Sequence, residues 1–292
     1  IAILGILKAG AAYVPIDLNC PSERIAYILE DTRSVFLLTH SFLINPLQIS
    51  QYLTTRLIFL DDNPHQVEDR SKLPTSSHGS NLAYVMYTSG TSGFPKGVMI
   101  EHCAISSKIQ SLVQYYSLTE QFRFLHYSSC SFDVSLEDIF LPLLTGSRLF
   151  IAPLMVQTNM EILAELIIRN KINIINFVPS LLTVFIDYIS NNPKLDCSCL
   201  KYIISGGEAL NLDMLHHYFK HINVPLFNAY GPTENTIDTT IMKYSSPMVN
   251  PVISIGYPLA NTKVYILDDH KKPVPIGVVG ELYIGGSGLA RG

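Results

Sequence analysis

An excess of charge of one sign is missing from this sequence. Twenty Lys and Arg stand against 24 Asp and Glu, a formal charge of -4 with a pI near 6.1, and the basic residues form no block. Such a surface attracts neither the phosphates of nucleic acid nor an anionic membrane, so neither is expected as a partner. Long apolar runs are also missing. The most apolar opening, Ile1 to Leu7, is interrupted by Lys8, and nothing approaches the roughly 18 uninterrupted apolar residues of a membrane-crossing helix. Cysteine is sparse and odd in number: Cys20, Cys103, Cys130, Cys197 and Cys199. Scattered through a chain large enough to build its own core, they read as reduced thiols in a cytoplasmic compartment. Cys197 and Cys199, in DCSC, lack the second CxxC or HxxxH that would complete a tetrahedral zinc site. No Met or basic stretch precedes the opening run, so a secretory signal is not supported. The closing GGSGLARG has no helix or strand of its own to tie it down, and the chain reads as an internal piece of a longer protein. Disorder is excluded by the 48% hydrophobic and 15% charged composition.

What is present is an α/β pattern. Apolar, β-rich runs at Val35 to Thr39, Leu57 to Leu60, Ala83 to Thr88, Ile172 to Val178, Tyr202 to Ser205 and Leu226 to Tyr230 alternate with helical periods. Ile25, Ile28 and Leu29 share one helical face within Arg24 to Asp31, and Ile162, Leu163, Leu166 and Ile167 repeat that spacing within Met160 to Ile168. Strands that are apolar on both faces predict a mostly parallel sheet covered by helices. Ligands of such folds lie beyond the carboxyl ends of the strands. The polar stretch 61–81 reads as an internal linker, and a β-rich segment is expected from about 240–262 onward, with strands near Lys263 to Leu267 and Glu281 to Ile284.

The strongest chemical signal follows the Ala83 to Thr88 run: YTSGTSGFPKG, Tyr87 to Gly97. Its glycines permit close backbone approach, and Thr88, Ser89, Thr91 and Ser92 set hydroxyls beside backbone N–H groups, a composition that suits phosphate. Lys96 adds a cation. The loop is not a Walker A motif, because Pro95 stands where that pattern needs its second glycine. GGSGLARG likewise fails the dinucleotide pattern GxGxxG, with Arg291 in the last position. NAYGPTE, Asn228 to Glu234, follows a strand and carries a carboxylate, two hydroxyls and a backbone stiffened by Gly231 and Pro232. SGGEAL, Ser205 to Leu210, reads either as ligand-approaching backbone or as a turn in which Glu208 and Asn211 cap helices. His216, His217 and His221 read as a helix face, since no HExxH glutamate accompanies them.

At these strings the chain resembles the adenylate-forming superfamily, specifically the amino-acid adenylation domains of nonribosomal peptide synthetases. LKAGAAYVPID (Leu7 to Asp17), LAYVMYTSGTSGFPKG (Leu82 to Gly97), FDVS (Phe132 to Ser135), NAYGPTE and GELYIGGSGLARG (Gly280 to Gly292) match family motifs in chain order, with Ser92 in place of a commoner threonine. The resemblance implies the family's large N-terminal domain, in part: βα subdomains with mostly parallel sheets and a β-rich C-terminal segment, without the small C-terminal lid. It implies ATP and Mg²⁺ as cofactors, activation of an amino acid as aminoacyl-AMP, and transfer to phosphopantetheine on a partner carrier domain beside neighbouring synthetase domains. By the same resemblance, Thr88, Ser89, Gly90, Thr91, Ser92, Gly93 and Lys96 would cradle phosphates. Thr233 would contact the α-phosphate and Glu234 would hold Mg²⁺, while Gly207, Asn228 and Tyr230 would border adenine.

Asp133 would bind the substrate's α-amino group, which favours an amino acid over an aryl or fatty acid. The side-chain pocket would be lined by Val134, Glu137, Asn176, Ile204, Gly206, Ala229, Ile237 and Asp238. Two acids in a closed pocket call for a cation, so a basic substrate such as ornithine, arginine or lysine is expected. The alternative is that Glu137 turns to solvent or meets a protein cation. The family's ribose-binding aspartate, hinge and lid lysine have no counterpart up to Gly292, so these residues alone are expected to have little activity. An acyl- or aryl-CoA ligase and a noncatalytic nucleotide-binding module remain as alternatives.

Overall fold

The computed structural model describes residues 1–43, 55–61, 77–89, 94–153, 156–246 and 252–292. Two small units come first in the chain: parallel β1 (Phe36–Thr39) with β2 (Arg56–Phe59), and antiparallel β3 (Leu82–Thr88) with β4 (Lys96–Glu101). The centre of the fold is a seven-stranded sheet. Five of its strands, β5 (Arg123–His126), β6 (Arg148–Ile151), β7 (Ile174–Phe177), β8 (Tyr202–Gly206) and β9 (Leu226–Tyr230), run parallel. β10 (Thr240–Tyr244) and β11 (Tyr257–Pro258) add an antiparallel edge, and the order across the sheet is β11-β10-β9-β8-β7-β5-β6. Antiparallel β12 (Thr262–Leu267) and β13 (Glu281–Gly286) form the β-rich segment that follows. The mostly parallel α/β architecture expected from the sequence is what is found.

Alternation along each strand divides the core. Phe124, Ile174, Ile204, Phe227, Ala229 and Ile241 face one way and pack with Ile109 and Leu112 of the helix His102–Tyr115 and Leu136 and Leu141 of the helix Ser135–Thr145. Their chain neighbours Leu125, Ile175, Ile203 and Leu226 face the opposite way, against the helices Met160–Asn170, Pro179–Asn191 and Leu212–His221. Both faces are dry, so each fully buried Leu, Ile or Phe contributes roughly 1.5–3 kcal/mol of transfer free energy. β7, with all four residues buried, is an interior strand of the kind this pattern requires.

Asn159 and Asn211 cap two of these helices by accepting from the Ile162 and Met214 amides at 3.1 and 2.8 Å. Glu208 accepts from both the amide and the hydroxyl of Ser180, at 2.9 and 3.0 Å, at the start of the helix Pro179–Asn191. Asn211 thus caps the helix that follows it, as the capping reading expects, whereas Glu208 reaches back to the start of the preceding helix Pro179–Asn191.

Of the expected linker, 62–76 lies outside the described residues. The glycine-rich terminal segment departs from expectation, because it is held by the backbone of its neighbours. Ala290 N donates to Glu234 O at 2.7 Å, Arg291 N to Met99 O at 2.9 Å, and Met99 N to Gly292 O at 3.0 Å. Arg291 also pairs with Glu101 at 2.9 Å. Local pattern could not reveal these bonds, since they join positions far apart in the chain.

Candidate active site

The phosphate-loop candidate is the tip of a hairpin. Thr88 at the end of β3 is in register with Lys96 at the start of β4, a strand that the apolar pattern does not separate from the loop. Ser89 and Lys96 are exposed at the two ends of the tip, while Gly90, Thr91, Ser92 and Gly93 lie outside the described residues. One flank is fixed by Tyr87, whose hydroxyl donates to Asp31 Oδ2 at 2.5 Å.

At the carboxyl ends of the parallel strands, register sorts the remaining candidates. Asn176 is paired with Ile204, and Gly206 with Ala229. With side chains alternating at period two, these four share the sheet face covered by the helices His102–Tyr115 and Ser135–Thr145. Asn228 and Tyr230 take the opposite parity. The strand pleat therefore separates the expected substrate wall from the expected adenine contacts. Gly206 is required by close approach, since a Cβ there would come within 2.8 Å of Ala229 O. Asn228 donates its amide to Ser254 O at 2.8 Å, and Gly207 takes a left-handed φ of 83°.

After β9 the chain turns through the 3-10 segment Thr233–Asn235. Thr236 and Ile237 then hold φ of 59° and 65°, a conformation costing on the order of 1–3 kcal/mol for a β-branched residue. Gly231 makes that turn possible, because a Cβ there would lie 1.8 Å from Ile237 O. Asn235 donates to Thr239 Oγ1, and Thr236 to Gly288 O, each at 2.7 Å. The strained turn buries Ile237 and Asp238 while leaving Glu234 exposed. Glu234 suits Mg²⁺ as one carboxylate of a site completed by substrate phosphates.

The buried acids come from three places. Asp133 precedes the helix Ser135–Thr145, Glu137 lies in its first turn beyond Val134, and Asp238 follows the strained turn. Glu137 is 1% and Asp238 8% exposed. Asp133 Oδ2, both Glu137 oxygens, Asp238 Oδ2 and Asn176 Oδ1 are buried and accept no hydrogen bond. Such orphaned oxygens in a low-dielectric pocket fit a site built for a donor-rich ligand.

Burial pushes Asp133 up from the ordinary carboxyl range, opposed by the Thr233 hydroxyl and the Ile237 and Val134 amides. Burial, then the charges of Asp238, Asp138 and Asp133, push Glu137 far higher. Asp238 is raised to about 6 by burial, against the pull of Glu137 and Lys108. The Glu137 and Asp238 side chains lie close together, so that Asp238 pushes Glu137 up while a protonated Glu137 draws Asp238 down.

Sequence reasoning missed Lys108. Only 3% exposed, it projects from the helix His102–Tyr115, donates through Nζ to the Asp238 carbonyl and lies 3.5 Å from Thr262 Oγ1. Burial lowers it to about 8, against the charges of Asp238 and Glu137, which raise it. The alternative of a protein cation near the acid pair is therefore realised in part. Lys108 satisfies the Asp238 carbonyl, and the acids keep their orphaned oxygens. A signal was available: Ala104, Lys108 and Leu112 repeat every four residues on one buried stripe, where a lysine is out of place. The phenols of Tyr84 and Tyr116 are also pushed up, first by burial and then by Asp133 and by Glu137 respectively. Their hydroxyls are buried without a hydrogen-bond partner.

The histidine candidates stay apart from this site: His217 Nε2 meets Asp187 Oδ1 at 2.8 Å on the opposite sheet face. Among the described residues no group of three His, Cys, Asp or Glu side chains is gathered for a metal, and no helix is long and apolar enough to cross a membrane.

A family model described as AMP-binding enzyme matches residues 1–292. A linear gramicidin synthase of Brevibacillus parabrevis is 40% identical over 292 residues, covering 100% of this chain and 4% of that protein. Vanchrobactin synthetase VabF of Vibrio anguillarum is 36% identical over 300 residues, covering 100% of this chain and 10% of that protein. The chain thus spans a small part of the curated relatives it matches. Among solved structures, the nonribosomal peptide synthetase FmoA3 bound to α-methyl-L-serine-AMP superposes with a TM-score of 0.90 at 27% identity, over 100% of this chain and 32% of that one. A four-domain holo nonribosomal peptide synthetase bound to AMP and glycine superposes with a TM-score of 0.85 at 32% identity, over 99% of this chain and 21% of that one.

Proposed function

Because the chain belongs to the AMP-binding enzyme family, within the adenylation domains of nonribosomal peptide synthetases, we propose that it activates a basic amino acid with ATP. A carboxylate oxygen of the amino acid attacks the α-phosphorus, the bond to the β-phosphate breaks, and aminoacyl-AMP and pyrophosphate form. Thr88, Ser89, Lys96 and the 90–93 segment surround the phosphates, and Thr233 contacts the α-phosphate. Glu234 would hold Mg²⁺, which when bound would supply positive charge against the phosphate oxygens. Gly207, Asn228 and Tyr230 border adenine. Positioning supplies most of the acceleration. The acyl group then passes to the phosphopantetheine thiol of a carrier domain in the longer protein.

The observation that carries the substrate reading is a charge count. Three carboxylates have buried oxygens, Asp133, Glu137 and Asp238, and one buried ammonium, Lys108, lies near the last two. Ionised together, the four groups would carry two uncompensated negative charges, which is why burial and its acidic neighbours keep Glu137 protonated when no second cation is present. Ornithine or lysine brings two positive charges, an α-ammonium for Asp133 and a side-chain ammonium that lets the acid pair ionise. Buried charges persist when each has a partner. Val134, Asn176, Ile204, Gly206, Ala229 and Ile237 form the remaining wall.

The test is amino-acid-dependent ATP–pyrophosphate exchange by the chain extended through its native C-terminal lid. Ornithine, lysine and arginine are compared with apolar amino acids and with aryl and fatty acids. Exchange driven by a basic amino acid is expected, with little from the 292 residues alone. Exchange driven only by an apolar amino acid overturns the charge count, and exchange driven only by an aryl or fatty acid overturns the amino-acid reading.

A further inference from the structure

The loop that follows β5 carries an arrangement that adenylation does not use. His126 ends β5, with 15% of its side chain exposed. Its Nε2 lies 3.7 Å from Cys130 Sγ, and its Nδ1 lies 3.5 Å from Asp138 Oδ2. The other Asp138 oxygen accepts from Asn176 Nδ2 at 2.9 Å. Asp138 is 2% and Asn176 6% exposed, and Asn176 is held further by the Tyr127 hydroxyl, which donates to its carbonyl. Cys130 itself is half-buried. Thiol, imidazole and carboxylate thus stand in the order that activates a nucleophile, and the carboxylate is anchored by a further buried amide.

We propose that Cys130, paired with His126 and supported by Asp138 and Asn176, is a nucleophilic thiol that takes soft carbon electrophiles beside the amino-acid pocket. Burial disfavours the His126 imidazolium, but hydrogen bonds and charge from Asp138 and Cys130 outweigh it and hold the ring at about 9. A protonated ring beside sulfur stabilises the negative charge of an attacking thiolate. With a haloacetamide, the sulfur–carbon bond forms as the carbon–halogen bond breaks, halide leaves with the bonding pair, and the proton originally on sulfur is held by His126.

The other cysteines lack this arrangement. Burial pushes the Cys20 and Cys199 thiols up and raises Cys197 to about 11. Cys103 is exposed, and its Sγ donates to Glu101 Oε2 at 3.5 Å. Placement beside the pocket rests on one contact and two proximities. Asp138 bonds the pocket-wall candidate Asn176, Asp138 follows Glu137 in the chain, and Cys130 and Asp133 both lie near the buried Tyr13 phenol. A substituent on Sγ would crowd the α-ammonium end of the substrate.

The test uses the native full-length protein, iodoacetamide and peptide-resolved mass spectrometry, with Cys103 as internal reference. Cys130 is expected to be carbamidomethylated at least ten times faster than Cys103, and His126→Gln to bring it down to the Cys103 rate or below. A Cys130 rate equal to or slower than that of Cys103, or one unchanged by His126→Gln, overturns the proposal. If His126→Gln also exposes buried Cys197 to label, the fold has been disturbed and Asp138→Asn replaces it. A severalfold slowing of Cys130 is then expected, and an unchanged rate is fatal. Pyrophosphate exchange is followed in parallel. It is expected to fall with Cys130 occupancy in the native protein and to resist iodoacetamide in Cys130→Ala; full exchange by protein labelled at Cys130 overturns the placement beside the pocket.

Discussion

The phosphate-loop hairpin and the acid pocket solve their binding problems in opposite ways. The hairpin is contiguous, exposed at Ser89 and Lys96, and offers hydroxyls and small residues over one short string. The pocket is assembled from Lys108, Asp133, Glu137, Asn176 and Asp238, with orphaned oxygens buried between a sheet face and two helices. Charge near water costs little and acts weakly, whereas buried charge is expensive and discriminating. The first arrangement suits a ligand part common to every ATP-using relative; the second suits a part that differs from substrate to substrate.

The sharpest break between the two regions is expected from Asp133→Asn. It leaves the hairpin intact and, on the proposed function, removes the partner of the substrate's α-ammonium, a loss of roughly 3 kcal/mol or more. Amino-acid-dependent exchange should fall at least ~100-fold in kcat/KM, while nucleotide binding, measured by calorimetry, stays within about twofold. A parallel loss of nucleotide affinity would remove the distinction.

Glu137→Gln should come next, with roughly 10- to 100-fold lower kcat/KM for a basic amino acid. It should also raise Tm at pH 8. The folded pKa of Glu137 lies far above the ordinary value, so its burial destabilises the fold increasingly as pH rises above the unfolded value near 4.5. Glutamine carries no such penalty. A lower Tm at pH 8 would place Glu137 in a favourable ion pair instead.

Smaller still is the pH response of the pocket. Asp238 ionises around 6, so KM for ornithine or lysine should fall as pH rises through that value, and KM for ATP should not follow it. The least disruptive contrast is Lys96→Ala, for which a rise of roughly tenfold in KM for ATP is expected with the amino-acid preference preserved. A changed preference would show that the two regions are not separable.

The difference between the regions also explains what could be read ahead of the structure. The strands Leu226–Tyr230 and Tyr202–Gly206 were legible because apolar runs bounded by turn residues carry their own signal. β4 and β5 were not, since Lys96 and Arg123 open short strands whose apolar character is set by their partners. Glu208 and Asn211 were legible as caps because capping is local. Lys108 was not, although it shares a stripe with Ala104 and Leu112, because no local rule says that a helix face will close over Asp238.

By itself the sequence determined the α/β class, the ordered motifs that carry family membership, and the chemical types available for phosphate, metal and amine. Those follow from local backbone preference and residue chemistry, which short spacings preserve. Tertiary structure decided which acids are buried together, that a lysine joins them, that the glycine-rich end is tied to β4 and the 233–235 turn, and that His126 stands between Cys130 and Asp138. Each depends on groups distant in sequence being buried together, and burial sets both the energy of a charge and the partner it will accept.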